Sequence, residues 1–169
     1  MKNSFLSLLI VVFCCFFLKS AYSTNGLDID DTALANKVFF KIRTVNFLSE
    51  RGRISLSLWL ALTPEEKEMG LMFRRKMDKA VGMLFVFDSE DIIAMWMKNT
   101  YMPLDMVFFD ENGRVVNIKY DAVPESLDII SSKLPAKFVL ELPAGKAVDY
   151  GFTYGSLLLD TKVSEYLPK

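Results

Sequence analysis

A strict two-residue alternation in residues 53–62 constrains the fold more than any other feature of this sequence. In RISLSLWLAL an aliphatic residue returns at every second position from Ile54 to Leu62. A β-strand turns successive side chains to opposite faces, so this period predicts a strand with one buried face. Residues 37–47 mix β-branched and aromatic side chains, and a turn signal at residues 49–52 separates the two runs. We therefore predict a β-hairpin.

Further short apolar runs along the chain predict a mainly-β domain. Asn112-Gly113 predicts a tight hairpin turn, because such turns need positive φ angles. Residues 121–135, which contain Pro124 and Pro135, are expected to be irregular and exposed. The other predicted strands are residues 83–87, 92–97, 104–109, 114–120, 137–142 and 156–160. With the hairpin this gives about eight short strands, which favours a single compact sandwich or barrel-like domain.

One helix is clearly signalled at the sequence Thr63-Pro64-Glu65-Glu66. Thr63 suits the N-cap, Pro64 suits the first turn, and Glu66 completes a capping box. Acidic residues follow at the start of this segment and basic residues at its end, which complements the helix dipole. We predict a helix at about residues 64–74 and a second short helical segment at about 143–150.

The first 23 residues have the pattern of a secretory signal peptide. Lys2 precedes an apolar run at residues 5–18, and a small-residue patch at 20–23 follows Lys19. The run is shorter than the roughly 20 apolar residues of a membrane span. We therefore expect cleavage, export to the periplasm or beyond, and no stable membrane span afterwards. Residues 24–36 would be a flexible lead-in, and residues 37–169 the single domain.

The composition excludes several kinds of chemistry. Both cysteines, Cys14 and Cys15, lie in the predicted leader, and the chain has no histidine. A thiol nucleophile, a Ser-His-Asp triad and an ordinary zinc site are therefore excluded from the domain. Any acid–base work would use carboxylates, lysine or tyrosine. No basic run follows the leader, so we expect no nucleic-acid partner, and no cofactor is predicted.

Five motifs together resemble one known family. They are GLMFR at residues 70–74, GMLFVF at 82–87, WMKNT at 96–100, PLDMVFFDENGRVV at 103–116 and VLELPAG at 139–145. In this order and spacing they resemble the bacterial and archaeal family called domain of unknown function 192. The resemblance implies a compact mainly-β domain with a helix, often exported, and it transfers no catalytic residue. Many members carry a cysteine pair in the segment matching residues 121–135, which is absent here.

A compact polar insert, Lys98-Asn99-Thr100, interrupts the apolar runs after Trp96. If the connection to Asp105 is tight, Lys98 and Asp105 fall opposite each other on paired strands. Two interpretations stay open. The pair and the neighbouring indole would bind a sugar or a carboxylate, or Lys98 and Asp105 form an ion pair that fixes strand register while Asn99 and Thr100 satisfy the turn backbone.

Other residues extend this candidate site. Arg74 either interacts with its own helix end or reaches an anionic group in the same pocket, and Glu141 alternates with apolar neighbours and projects to one face. The eight methionines within residues 69–106 fill core gaps, or they hold Cu(I) through soft thioether ligands. The predicted ligand-binding set is Arg74, Met83, Trp96, Lys98, Asn99 and Asp105, with no metal ligand.

Three functions remain open, and the sequence alone does not name a reaction. The leading hypothesis is an exported binding module for a cell-envelope saccharide or another small polar ligand. The second is a protein-interaction or structural domain that presents residues 121–135 to an envelope protein. The third is a carboxylate-based glycan-acting enzyme, with Asp105 as its first acid but without an obvious second carboxylate.

Overall fold

The computed structural model describes residues 37–166, which belong to one compact unit. The predicted signal peptide and lead-in, residues 1–23 and 24–36, lie outside the described residues. The strands are β1 (Lys41–Ser49), β2 (Gly52–Ala61), β3 (Gly82–Asp91), β4 (Ala94–Met95), β5 (Leu104–Phe109), β6 (Val115–Ala122), β7 (Ile130–Ser131), β8 (Ala136–Pro143) and β9 (Leu157–Leu158). The helices are α1 (Pro64–Met69), α2 (Lys146–Asp149) and a 3₁₀ helix at Thr161–Tyr166.

Seven of these strands form one sheet in the order β6-β5-β8-β3-β2-β1-β9, and β4 pairs with β7 separately. The predicted hairpin is confirmed, because β1 and β2 pair antiparallel along their whole length. β2 and β3 are parallel, so the chain must cross over between them, and α1 lies in this crossover. The mainly-β prediction is confirmed, with little helix beside the strands.

The sheet is buried on both faces, which corrects the expectation of one buried face for residues 53–62. Leu58 and Leu60 lie in one apolar cluster, here called the first face, with Phe47 and Phe138. Trp59 and its neighbours lie in another cluster on the opposite side, here called the second face, as the two-residue period requires. Side chains of the crossover after α1 cover the second face, so both sides of β2 are buried at residues 58–61, whereas Arg53, Ser55 and Ser57 stay exposed.

The predicted capping box is confirmed at the start of α1. Thr63 Oγ1 accepts a hydrogen bond from the Glu66 N–H at 3.2 Å, and Glu66 Oε2 accepts one from the Thr63 N–H at 3.0 Å. The helix ends at Met69 rather than at residue 74. Gly70 has a φ of +47°, and a Cβ there would lie 3.1 Å from the Phe85 ring, so the chain leaves the helix where only glycine fits.

Two predicted segments differ from the structure around β4. The strand expected at residues 92–97 contains only Ala94–Met95, because this part of the chain lies outside the main sheet and pairs only with the two residues of β7. Residues 121–135, expected to be irregular, contain β7 and the buried Ser132. Ser132 Oγ accepts from the Ile93 N–H at 3.0 Å and donates to the Leu134 carbonyl at 2.7 Å, which ties this segment to the rest of the domain.

The two edges of the main sheet meet near Gly113. β9 pairs with β1, and a single bridge joins Arg114 to Leu157. The Leu158 N–H donates to the Gly113 carbonyl at 2.7 Å. Gly113 has the positive φ of +78° predicted for the Asn-Gly turn. The sheet therefore curls until its ends touch, in the manner of a barrel.

Within residues 37–166, no helix is both long and apolar enough to cross a membrane.

The segment expected to be helical at 143–150 is shorter, because α2 begins only after Gly145, which has a left-handed φ of +84°.

Candidate functional site

A cleft of about 160 Å³ opens on the second face, between α1 with the chain that follows it, β3, β8 and residues 94–100. Its apolar walls are Met69, Met72, Phe85, Phe87, Met95 and Trp96. Its polar groups come from Lys67, Glu68, Lys98, Thr100 and Glu141. A mostly apolar cleft with a few convergent polar groups is the usual form of a small-molecule site.

Glu141 supplies the buried carboxyl group of this cleft. In the register of the sheet Glu141 lies between Met83 of β3 and Met106 of β5, so its side chain points to the second face. The residue is only 4% exposed. Among the described residues, no side chain or backbone group forms a hydrogen bond or an ion pair with its carboxyl group. Burial without a partner raises the pKa of Glu141 to about 8.

Trp96 and Lys98 stand at the mouth of the cleft. The indole is 45% exposed. Lys98 Nζ lies 5.1 Å from the centroid of the Trp96 ring, within the range of a cation–π contact. The other lysine of the cleft, Lys67, donates to the Val86 carbonyl at 3.1 Å and lies 3.7 Å from Asp88. Neither ammonium group pairs with Glu141.

Asn99 holds the turn that carries Lys98. Its φ is +53°, in the left-handed region, and its carbonyl accepts a hydrogen bond from the Phe73 N–H at 2.8 Å. Its amide Nδ2 donates to Met72 Sδ at 3.8 Å. Thr100 is buried and donates to the Lys98 carbonyl at 3.3 Å. The Thr100 hydroxyl therefore satisfies a backbone group of the turn, as predicted, whereas the Asn99 side chain contacts Met72 and no backbone group of the turn.

Asp105 is not part of the cleft, and the expectation that it faces Lys98 is wrong. Asp105 pairs in register with Leu142, which lies in the core of the first face, so its side chain points away from Glu141. Its carboxylate accepts hydrogen bonds from the N–H groups of Asp121 at 3.0 Å and Ala147 at 2.9 Å. Lys98 lies in a turn rather than on a paired strand, so the two side chains never face each other.

Arg74 and Met83 both lie on the second face, but their side chains contact different residues. Arg74 follows the end of α1, and its guanidinium carbon lies 4.5 Å from the centroid of the Trp59 ring. Burial lowers the pKa of Arg74, and the nearby Asp78 opposes this change. Met83 is fully buried and lies in register between Trp59 and Glu141. Met83 therefore lies beside Glu141 on the neighbouring strand, and neither Met83 nor Arg74 lines the cleft.

The comparisons with known proteins agree with the motifs. The family model DUF192, described as an uncharacterised ACR, matches residues 46–159. The chain belongs to the DUF192 family. A crystal structure from Sinorhizobium meliloti 1021, described as that of a proposed transcription regulator, is similar with 40% identity and a TM-score of 0.68, covering 73% of this chain and 96% of that one.

A second similar structure is that of a protein of unknown function from Novosphingobium aromaticivorans DSM 12444. Its crystal structure has 31% identity and a TM-score of 0.65, covering 73% of this chain and 94% of that one. The comparison with curated proteins gives no match. The relatives thus support the family and the fold of the domain, and their descriptions name no ligand.

The chemistry available to this DUF192 domain centres on Glu141. Within the described part of the chain, no three His, Cys, Asp or Glu side chains cluster as metal ligands. Met83, Met97 and Met106 are fully buried in the second face, as core fillers are. A buried carboxyl group whose pKa lies near 8 can donate or accept a hydrogen bond at neutral pH. The signal for it in the sequence was a single charge in the apolar run FVLEL.

Proposed function

We propose that this DUF192 protein is a small exported binding module that holds a small polar ligand in the cleft beside Trp96, with a cell-envelope saccharide as the leading class. One observation carries the proposal. A half-exposed indole stands at the mouth of a cleft whose floor holds the buried carboxyl group of Glu141. Aromatic faces stack on sugar rings, and buried polar groups fix ligand orientation.

The volume of the cleft limits the size of the ligand that fits inside it. Its volume of about 160 Å³ is smaller than the roughly 300–1,000 Å³ of sites that enclose drug-sized ligands. One sugar ring, or one end of a longer glycan, matches this space better than an enclosed oligosaccharide. The exposed side of Trp96 leaves room for the rest of a longer ligand outside the cleft.

Titration by ¹⁵N NMR with a panel of envelope glycan fragments tests this function. We expect shifts confined to residues 67–72 and 94–100 and to Glu141, and loss of binding by at least tenfold in Trp96→Ala. Tyr154→Ala is the matched control, since Tyr154 is an exposed aromatic residue that does not line the cleft. Absence of binding by every fragment, or equal loss in both variants, would contradict the proposal.

A second candidate function is supported by residues 121–135. Four apolar side chains there are exposed, namely Val123, Leu127, Ile129 and Leu134, with exposures of 55–68%. Such a group of exposed apolar side chains is a feature of surfaces that contact other proteins. An envelope protein that packs on this surface is the alternative partner.

The test of this alternative must spare the segment's structural contacts. Replacing residues 121–135 as a whole would remove β7 and the buried Ser132, so the fold would suffer. The double substitution Leu127→Ser with Ile129→Ser changes only exposed side chains. If the surface binds a partner, this variant loses the partner in photo-crosslinking from position 123, while the control Val148→Ser keeps it. Equal crosslinking in both variants would refute the alternative.

A further inference from the structure

The carboxyl group of Glu141 lines the cleft and has no hydrogen-bond partner among the described residues. A polar group buried without a hydrogen-bond partner destabilises the folded protein. The residues packed around Glu141 from neighbouring strands are Met83 and Met106, which offer it no hydrogen bond. Its carboxyl group faces the cleft, where a ligand would be the missing partner.

The charged groups that share the cleft with Glu141 are Lys67 and Glu68 from α1 and Lys98 from the turn at 98–99. Lys67 is already engaged by a backbone carbonyl and by Asp88. Glu68 is exposed to solvent. Lys98 rests on the Trp96 ring and forms no ion pair among the described residues. The cleft therefore holds one ammonium group that is available to a ligand.

The polar groups that a ligand meets are mainly hydrogen-bond donors at neutral pH. The carboxyl group of Glu141 keeps its proton there, because burial places its pKa at about 8. The ammonium group of Lys98 carries three N–H donors and no acceptor. A set of donors on apolar walls complements an acceptor-rich, negatively charged group, in the way that a protonated carboxyl group elsewhere donates to an oxyanion.

We propose that the cleft recognises a carboxylate on its ligand, held between the carboxyl group of Glu141 and the ammonium group of Lys98, with the body of the ligand against Trp96. This inference rests on the proposed binding function and narrows the saccharide class to acidic sugars such as uronic acids. No covalent step is involved. The ligand carboxylate accepts the O–H of Glu141 and an N–H of Lys98 as charge-assisted hydrogen bonds.

Three pyranoses that differ mainly in charge test the inference: glucuronate, glucose and glucosamine. We expect the purified protein to bind glucuronate at pH 7 about tenfold more tightly than glucose, as one charge-assisted hydrogen bond predicts. Glucosamine, with an ammonium group, should bind most weakly. Raising the pH from 7 to 9 should weaken glucuronate binding about tenfold, because Glu141 must keep its proton to donate.

Two variants test which residues cause the preference for glucuronate and the pH dependence of its binding. Glu141→Gln keeps a neutral donor, so glucuronate binding should stay within about threefold at pH 7 and lose its dependence on pH. Lys98→Met should weaken glucuronate about tenfold and leave glucose unchanged. Glu65→Gln is the control, because it removes an exposed carboxylate of α1 that does not line the cleft and should leave the pH profile intact. Circular dichroism checks that each variant is folded.

The outcomes separate this inference from the function on which it rests. Equal affinity for the three sugars, tightest binding of glucosamine, or affinity that rises with pH would overturn carboxylate recognition and leave saccharide binding standing. Failure of all three sugars to bind would also overturn the inference. The binding function itself would fall only if the envelope glycan panel gave no binding either.

Discussion

Replacing Glu141 by glutamine should stabilise the ligand-free protein at neutral pH and make its free energy of unfolding less dependent on pH. The pKa of the Glu141 carboxyl group is raised by burial from 4.5 to about 8 in the folded chain. Between these values the unfolded chain gives up the proton and the folded chain keeps it. The folded state therefore loses stability relative to the unfolded state as the pH rises from about 4.5 to 8.

The magnitude follows from the separation of the two pKa values. Each pH unit above the unfolded pKa costs about 1.4 kcal/mol until the folded group also ionises. At pH 7 the unfolded carboxyl group lies about 2.5 units above its pKa, so the penalty is about 3 kcal/mol. Below pH 4.5 the penalty vanishes. Glutamine is neutral in both states and carries none of it.

Urea denaturation of the ligand-free protein and of Glu141→Gln, followed by circular dichroism from pH 4 to pH 8, measures this difference. We expect nearly equal free energies of unfolding at pH 4 and an advantage of about 3 kcal/mol for the variant at pH 7. Other carboxyl groups titrate alike in both proteins and cancel. Parallel curves over the whole range, or a variant that is less stable at pH 7, would refute a buried, protonated Glu141.

Three further changes test the structural roles assigned above. Asp105→Ala leaves two backbone N–H groups without their acceptor and should lower the free energy of unfolding by about 3 kcal/mol, whereas Lys98→Met should lower it by less than about 1 kcal/mol. A double-mutant cycle in urea should give a coupling energy near zero between the two residues. A coupling energy above about 1 kcal/mol would show that they form an ion pair after all. Gly82→Ala places a Cβ 2.5 Å from the Glu141 carbonyl oxygen and should lower stability by about 1–3 kcal/mol, with an unchanged melting temperature as the contrary result. Thr63→Ala removes the Oγ1 acceptor of the capping box and should cost about 1 kcal/mol in the same assay, and Thr63→Ser should recover the lost stability.

Local signals in the sequence predicted local structure well. The period of residues 53–62, the capping box at Thr63 and the turn at Asn112-Gly113 each depend on neighbours along the chain, and each is found. The family resemblance also held, since the motifs that carry it belong to strands and turns of the domain. The length of α1 was overestimated, because the stop at Gly70 depends on the Phe85 ring from a distant strand.

The candidate site was harder to predict because it depends on register between strands that are far apart in the sequence. Asp105 and Glu141 both alternate with apolar neighbours. This pattern shows that each carboxyl group lies on one face of the sheet, but it does not show which of the two faces. Only the pairing of β5 with β8 decides that Asp105 points to the first face and Glu141 to the second. Trp96 and Lys98 lie in one short motif, so the sequence alone predicts that they are neighbours, and Lys98 Nζ lies over the Trp96 ring.

The closing contact between β9 and the rest of the sheet has a consequence for the nascent chain. Strand β1 can pair with β2, the next strand along the chain, but on its other edge Phe47 and Leu48 gain strand partners only when Leu157 and Leu158 arrive far along the chain. Until then β1 presents unpaired backbone groups to any neighbouring chain, which is how sheet edges begin to aggregate. The growing protein can therefore self-associate through this edge until Leu157 and Leu158 pair with β1 and the Leu158 N–H bonds the Gly113 carbonyl.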